Sequence, residues 1–90
     1  MKCFTYTISD PQGLHARNAI GLCRIAGNFH SQITAFVQEE NGNQKKADCK
    51  DMMALMGLRA RQNATVEFTV EGEDEQEAAA GLTAALPTIL

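Results

Sequence analysis

The run Gly13-Leu14-His15-Ala16-Arg17-Asn18 sets an imidazole and a guanidinium two residues apart, between an alternating stretch and an apolar stretch that begins near Ala19. Glycine supplies the bend out of a strand, and the histidine stands where a helix should begin. This arrangement reads as a phosphate site. The imidazole offers a nitrogen nucleophile, and the unpaired N–H groups of a first helical turn together with the Arg17 guanidinium can hold the added negative charge. Near neutral pH an imidazole is substantially uncharged, and the positive end of a helix disfavours imidazolium, so the nucleophilic form is favoured. Phosphorylation reverses the local sign, and the helix dipole then attracts the cargo by about 0.3–2 kcal/mol. So modest an attraction suits a carrier, which must let go again. The competing reading makes His15 a capping or surface histidine and Arg17 a solvated helix residue. No second acid, base or metal-ligand cluster is evident nearby in sequence, and His30 reads as a residue at a helix end.

Composition limits what such a site can belong to. Ninety residues make a single domain spanning 1–90 with a modest core, and 44% hydrophobic with 21% charged residues is ordinary for a soluble globular protein. A formal charge of −3 argues against nucleic acid as a partner, since such domains carry a basic patch or stripe. Apolar runs are short and the first residues lack a signal-peptide core, so neither membrane insertion nor secretion is expected, and the chain is placed in the cytoplasm. Cys3, Cys23 and Cys49 are odd in number and lack metal-like spacing, which predicts free, mostly inert thiols and no metal.

The elements that must position the histidine follow from periodicity. Lys2 to Ser9 alternates Phe4, Tyr6 and Ile8 with Cys3, Thr5 and Thr7, the pattern of a strand with one buried face. Asp10-Pro11-Gln12-Gly13 is a loop. From Ala16 to about Asn28, Ala19, Leu22, Cys23, Ala26 and Phe29 give an amphipathic helix, with Gly21 pointing to close packing or partner contact. His30 to Gln38 is a second strand, Asn41-Gly42-Asn43 a hairpin turn and Lys45 to Ala47 a third strand. Asp48 and Asp51 offer N-caps for a short helix, Met52 to Leu58, closed near Gly57. Arg59 to Asn63 is a polar connection, and Val66, Phe68 and Val70 mark the last strand. Asp74-Glu75-Gln76-Glu77 resembles a capping box ahead of a helix with Ala78, Leu82, Ala85 and Leu86, which Pro87 should end. The order βαββαβα predicts an α+β open-faced sandwich, a four-stranded antiparallel sheet covered on one face by three helices.

Gly13-Leu14-His15-Ala16-Arg17, at this distance from the N-terminus and in this order of elements, resembles HPr, the histidine phosphocarrier family of the bacterial phosphoenolpyruvate-dependent sugar phosphotransferase system. The similarity extends over essentially the whole chain, the segment Lys50 to Leu58 included. It implies a carrier, not an enzyme, that takes phosphate from enzyme I on Nδ1 of His15 and gives it to the A domain of a sugar-specific enzyme II. Arg17 would steady the phosphate, with Gln12, Ala16 and Asn18 as further phosphate-holding candidates. A monomer without cofactor is expected.

Two positions depart from the family pattern. Asn18 stands where relatives commonly have proline; it restores a backbone donor and adds an amide that is compatible with phosphate holding. Asp51 stands where many Gram-positive relatives carry a regulatory serine, and aspartate cannot accept that phosphate; helix capping explains it better than phosphoserine mimicry. For partner docking the resemblance points to Ile20, Cys23, Arg24 and Gly27 on the first helix and Met52, Met53 and Met56 on the second. Lys50, Arg59 and Arg61 are assisting charges. Methionine suits a surface that must fit several partners. The competing reading is core filling, with Met53 or Met56 mostly buried. A regulatory relative that acts mainly by binding other proteins, and a plain structural domain with an incidental histidine, are the rival functions.

Overall fold

The computed structural model describes residues 1–39 and 41–90. Its elements are β1 (Lys2–Thr7), α1 (Ala16–Gly27), β2 (Gln32–Gln38), β3 (Gln44–Asp48), α2 (Met52–Gly57), β4 (Thr65–Glu71) and α3 (Glu75–Ile89). The strands form one antiparallel sheet in the order β1-β4-β2-β3. The period-2 alternation of the sequence becomes a two-faced sheet. Ile33, Ala35 and Val37 of β2 and Val66, Phe68 and Val70 of β4 are buried, whereas their neighbours Thr34, Glu67 and Thr69 face the other way and keep contact with solvent. The three helices cover the apolar face and leave the other open.

Phe68 lies at the middle of this core. It is fully buried, pairs in register with Phe4 on one side and Ala35 on the other, and stacks on the Phe4 ring with centroids 5.1 Å apart. From the helices, Ala19, Leu22 and Ala26 of α1, Leu55 of α2, and Ala78, Leu82 and Leu86 of α3 close over it.

The structure corrects several expectations. β1 ends at Thr7, although Ile8 stays tied to the neighbouring chain through Ile8 N–H to Ala64 O and Asn63 N–H to Ile8 O. β2 starts two residues later than expected because the backbone N–H groups of His30 and Ser31 are taken by the Asp74 carboxylate, at 2.8 and 2.9 Å. The same carboxylate accepts from the buried Ser31 hydroxyl. Asp74 is therefore a long-range tie and makes no side-chain cap on α3, and the expected capping box does not form there. α3 also runs through Pro87 to Ile89. Proline gives up one helical hydrogen bond, but its ring lies exposed while Leu86 and Leu90 are buried and Ile89 packs on the core, so tertiary burial carries the last turn. α2 does close near Gly57, its last residue, but the C-cap Leu58 is right-handed and the left-handed conformation falls on Arg59, φ 51°. Gly21 has Ile89 as its neighbour, at 3.7 Å from where a Cβ would stand, which is ordinary contact and not a demand for glycine.

Three donors hold the Asp74 carboxyl well down, from an ordinary 3.8 to about 2, with the Ser31 hydroxyl the largest cause. A lowered folded value contributes stability that is fully present above the unfolded value and is lost as pH falls through the folded one. The gap in urea midpoint between the protein and Asp74→Asn should therefore be widest near neutral pH and shrink between about pH 4 and 2. Urea titrations at stepped pH measure it, and a gap that stays constant over that window would show that the charge contributes nothing.

Candidate functional site

The site is built where the loop after β1 meets the start of α1. Loop position is fixed from two sides. Ser9 N–H, Asp10 N–H and the Ser9 hydroxyl all donate to the carbonyl oxygen of the buried Leu90, at 2.8, 2.7 and 2.9 Å. Further on, Gly13 N–H closes a turn on Asp10 O, and Leu14 N–H donates to Ala60 O at 2.9 Å. Gly13 has φ +70°, and a Cβ there would lie 2.4 Å from Ala60 O and 2.8 Å from Arg61 Cα, both backbone atoms. Neither neighbour can swing aside. Gly13→Ala should thus cost at least about 2 kcal/mol in chemical denaturation and slow any reaction at His15, since the loop must move to accept a methyl group. A variant as stable as the parent would show that the loop is not held as described.

His15 is the N-cap of α1, in an extended conformation at φ −131° and ψ −179°. Its own carbonyl accepts the first helical bond, from Ala19 N–H at 2.9 Å. The side chain is about one-third exposed and shares a shallow depression with Asp10, Pro11, Gln12, Ala16 and Arg17. Ala16, Arg17 and Gln12 are exposed, and among the described residues Arg17 makes no ion pair. No acidic residue occupies the first turn of α1. Helical N–H groups, an exposed guanidinium and a partly exposed imidazole thus converge on one concave surface, which suits reversible binding of a dianion.

Asn18 is placed differently from expectation. The residue is buried, its Oδ1 accepts from His15 N–H at 2.8 Å, and its Nδ2 donates to Gly13 O at 2.8 Å. Both ends of the amide are thereby spent on holding the loop against the helix. The side chain is a brace for His15.

Asp10 was not expected at the site at all. Its Oδ2 lies 3.2 Å from His15 Nε2, and Asn18 Nδ2 approaches the same oxygen at 3.5 Å. The other oxygen, Oδ1, accepts from Gln12 N–H at 2.9 Å. That backbone donor is the largest cause holding the Asp10 carboxyl below the usual carboxylate range, and His15 and Asn18 lower it further. An acid five residues ahead of the histidine was visible in sequence, but turn residues in a loop give no periodicity from which to read its direction.

The docking residues divide by exposure. Ile20, Arg24 and Gly27 on α1 and Met53 and Met56 on α2 are exposed, Met53 at 72%, so the core-filling reading fails for Met53 and Met56. Met52 and Cys23 are the half-buried members, packed against the core. Lys50 is less available than expected, because its Nζ donates to Phe29 O at 2.7 Å, just beyond the end of α1. Asp51 caps α2 by accepting from Ala54 N–H at 3.2 Å, which is the capping role expected of it. All three cysteines are unpaired; burial pushes the Cys49 thiol up to about 12, which leaves it inert at neutral pH.

Comparison with known proteins agrees with this geometry. The family described as "PTS HPr component phosphorylation site" matches residues 2–87. The phosphocarrier protein HPr of Cupriavidus necator is 42% identical over 78 residues, covering 87% of this chain and 82% of its own. Among solved structures, HPr-C-His from Thermoanaerobacter tengcongensis superimposes with a TM-score of 0.81 at 36% identity, covering 98% of this chain and 93% of that one. A mycoplasma histidine-containing phosphocarrier protein gives 0.87 at 28% identity, with 99% and 97% covered. The chain belongs to the HPr family of phosphocarrier proteins of the phosphotransferase system.

Proposed function

We propose that the protein accepts a phosphoryl group from enzyme I on Nδ1 of His15 and passes it to the A domain of a sugar-specific enzyme II. The observation that carries this reading is the position of His15: the N-cap of α1, partly exposed, beside an exposed arginine and above a helical turn that holds no acid. Backbone N–H groups of Ala16, Arg17 and Asn18, with the Arg17 guanidinium and Gln12, receive the phosphoryl oxygens. Because the dipole contributes only about 0.3–2 kcal/mol, the group stays transferable. The protein acts as a co-substrate: its partners supply most of the catalysis, and it needs no cofactor or metal. Ile20, Cys23, Arg24, Gly27, Met52, Met53 and Met56 form the face that partners grip, with Arg24 steering acidic surfaces. A monomer in the cytoplasm fits this exchange with successive partners. Asp51 leaves no hydroxyl for a regulatory kinase at that position.

Incubation with enzyme I and phosphoenolpyruvate, followed by intact mass measurement, tests the reading. An acid-labile adduct of one phosphoryl group, discharged on addition of an enzyme II A domain, is expected. No adduct in the presence of active enzyme I would leave a module that works by binding alone.

A further inference from the structure

The contact between Asp10 and His15 assigns each ring nitrogen a different task. An ionised carboxylate can only accept hydrogen bonds, so the nitrogen that faces it must carry the proton. Asp10 Oδ2 faces Nε2 at 3.2 Å. Its carboxylate is itself fixed, by Gln12 N–H on Oδ1 at 2.9 Å and by Asn18 Nδ2 on the Oδ2 side at 3.5 Å, while Asp10 N–H is anchored to Leu90 O. Every hydrogen bond in this set favours one orientation of the carboxylate. We infer that Asp10 is a positioning residue that holds His15 in the Nε2–H tautomer, leaving the Nδ1 lone pair free to attack phosphorus. The inference rests on the phosphoryl-acceptor reading and supplies the reason for its choice of nitrogen.

The chemistry balances on that assignment. The Nδ1 lone pair forms the new N–P bond while the donor's bond to phosphorus breaks, and that electron pair leaves with the donor atom. The ring then bears a phosphoryl group on Nδ1 and a proton on Nε2, so it is a cation. Its positive charge is matched by Asp10 across the existing contact, and the proton need not leave. On donation the N–P electrons return to Nδ1, and the neutral Nε2–H ring is restored in the form that began the cycle. Without the carboxylate, a neutral histidine would divide between two tautomers, one of which has no lone pair where the phosphoryl group must bond.

Two substitutions separate this from a merely structural role. In Asp10→Asn the amide oxygen should stay on Gln12 N–H and turn the amide NH2 toward His15 Nε2. That nitrogen must then accept, so the ring proton moves to Nδ1 and blocks the nucleophile. Asp10→Ala removes the preference without reversing it. Long-range 1H–15N spectra of the His15 ring should show mainly Nε2–H in the parent, a mixture in Asp10→Ala and mainly Nδ1–H in Asp10→Asn. Phosphoryl uptake from enzyme I should fall by about tenfold in Asp10→Ala and further in Asp10→Asn, in that order. A general loosening of the loop would slow both alike and would not reverse the tautomer. Unchanged ring spectra in both variants overturn the inference whatever the rates. If the parent takes up no phosphate, the acceptor reading fails by itself, and the spectra still decide what Asp10 does to the ring.

Discussion

His15→Ala should take up no phosphoryl group from enzyme I and phosphoenolpyruvate, and it should remain folded. The loss should be complete because no neighbouring side chain on the same surface can replace the nucleophile: Asp10 is held by Gln12 N–H and Asn18, and a guanidinium has no lone pair to offer. Stability changes by no more than about 0.5 kcal/mol, as for an ordinary surface substitution. The His15 side chain supplies no cap hydrogen bond to α1, and the bond from His15 N–H to Asn18 Oδ1 belongs to the backbone and survives in alanine. Intact mass after the enzyme I reaction and a urea denaturation curve check the two halves of the result. Residual phosphorylation of the variant would move the acceptor to another residue, and unfolding would make His15 a structural histidine after all.

The largest effect on stability is expected at Phe68. Truncation to alanine empties the centre of the sheet, where the side chain is fully buried between β1 and β2 and stacked on Phe4. Phe-to-Ala changes at such positions cost about 3–5 kcal/mol, through lost transfer energy and the cavity left behind. A chain of this length has a total stability of roughly 5–13 kcal/mol, so a large share would go. Phe4→Ala should cost clearly less, since Phe4 is only half-buried and its strand lies at the sheet edge. Denaturant midpoints of the two variants measure the difference. Equal losses would place the centre of the core between the rings and not beneath Phe68.

How far each feature could be read in advance depends on the range of the interactions that make it. Phe4, Tyr6 and Ile8, or Val66, Phe68 and Val70, announce strands because alternation is a local property, and α1 announces itself by its three- and four-residue steps. The placement of His15 and Arg17 at the start of α1 was legible because local chemistry specifies a helix end. Asp74 was not: its acid-rich surroundings favour a helix cap, but its partners His30 and Ser31 lie 44 and 43 residues away and compete better. Pro87 misled for a similar reason, as the burial of Leu86 and Leu90 outweighs one lost helical bond. Asp10 and Asn18 sit between these cases. Both were in view next to His15, but only the folded loop shows that the amide is turned inward to brace it and that the carboxylate lies against the ring.

The tie from the Lys50 ammonium to Phe29 O bears on how α1 is charged along its length. At the far end of that helix, Arg24 in the last turn and Lys50 just beyond it supply two cations to the carbonyl pole, whereas the first turn at the amide pole holds no acid of its own. The carboxylate near that pole, Asp10, lies against the His15 ring and Gln12 N–H and not on the helical N–H groups. A transient anion arriving there finds main-chain donors that no resident carboxylate occupies.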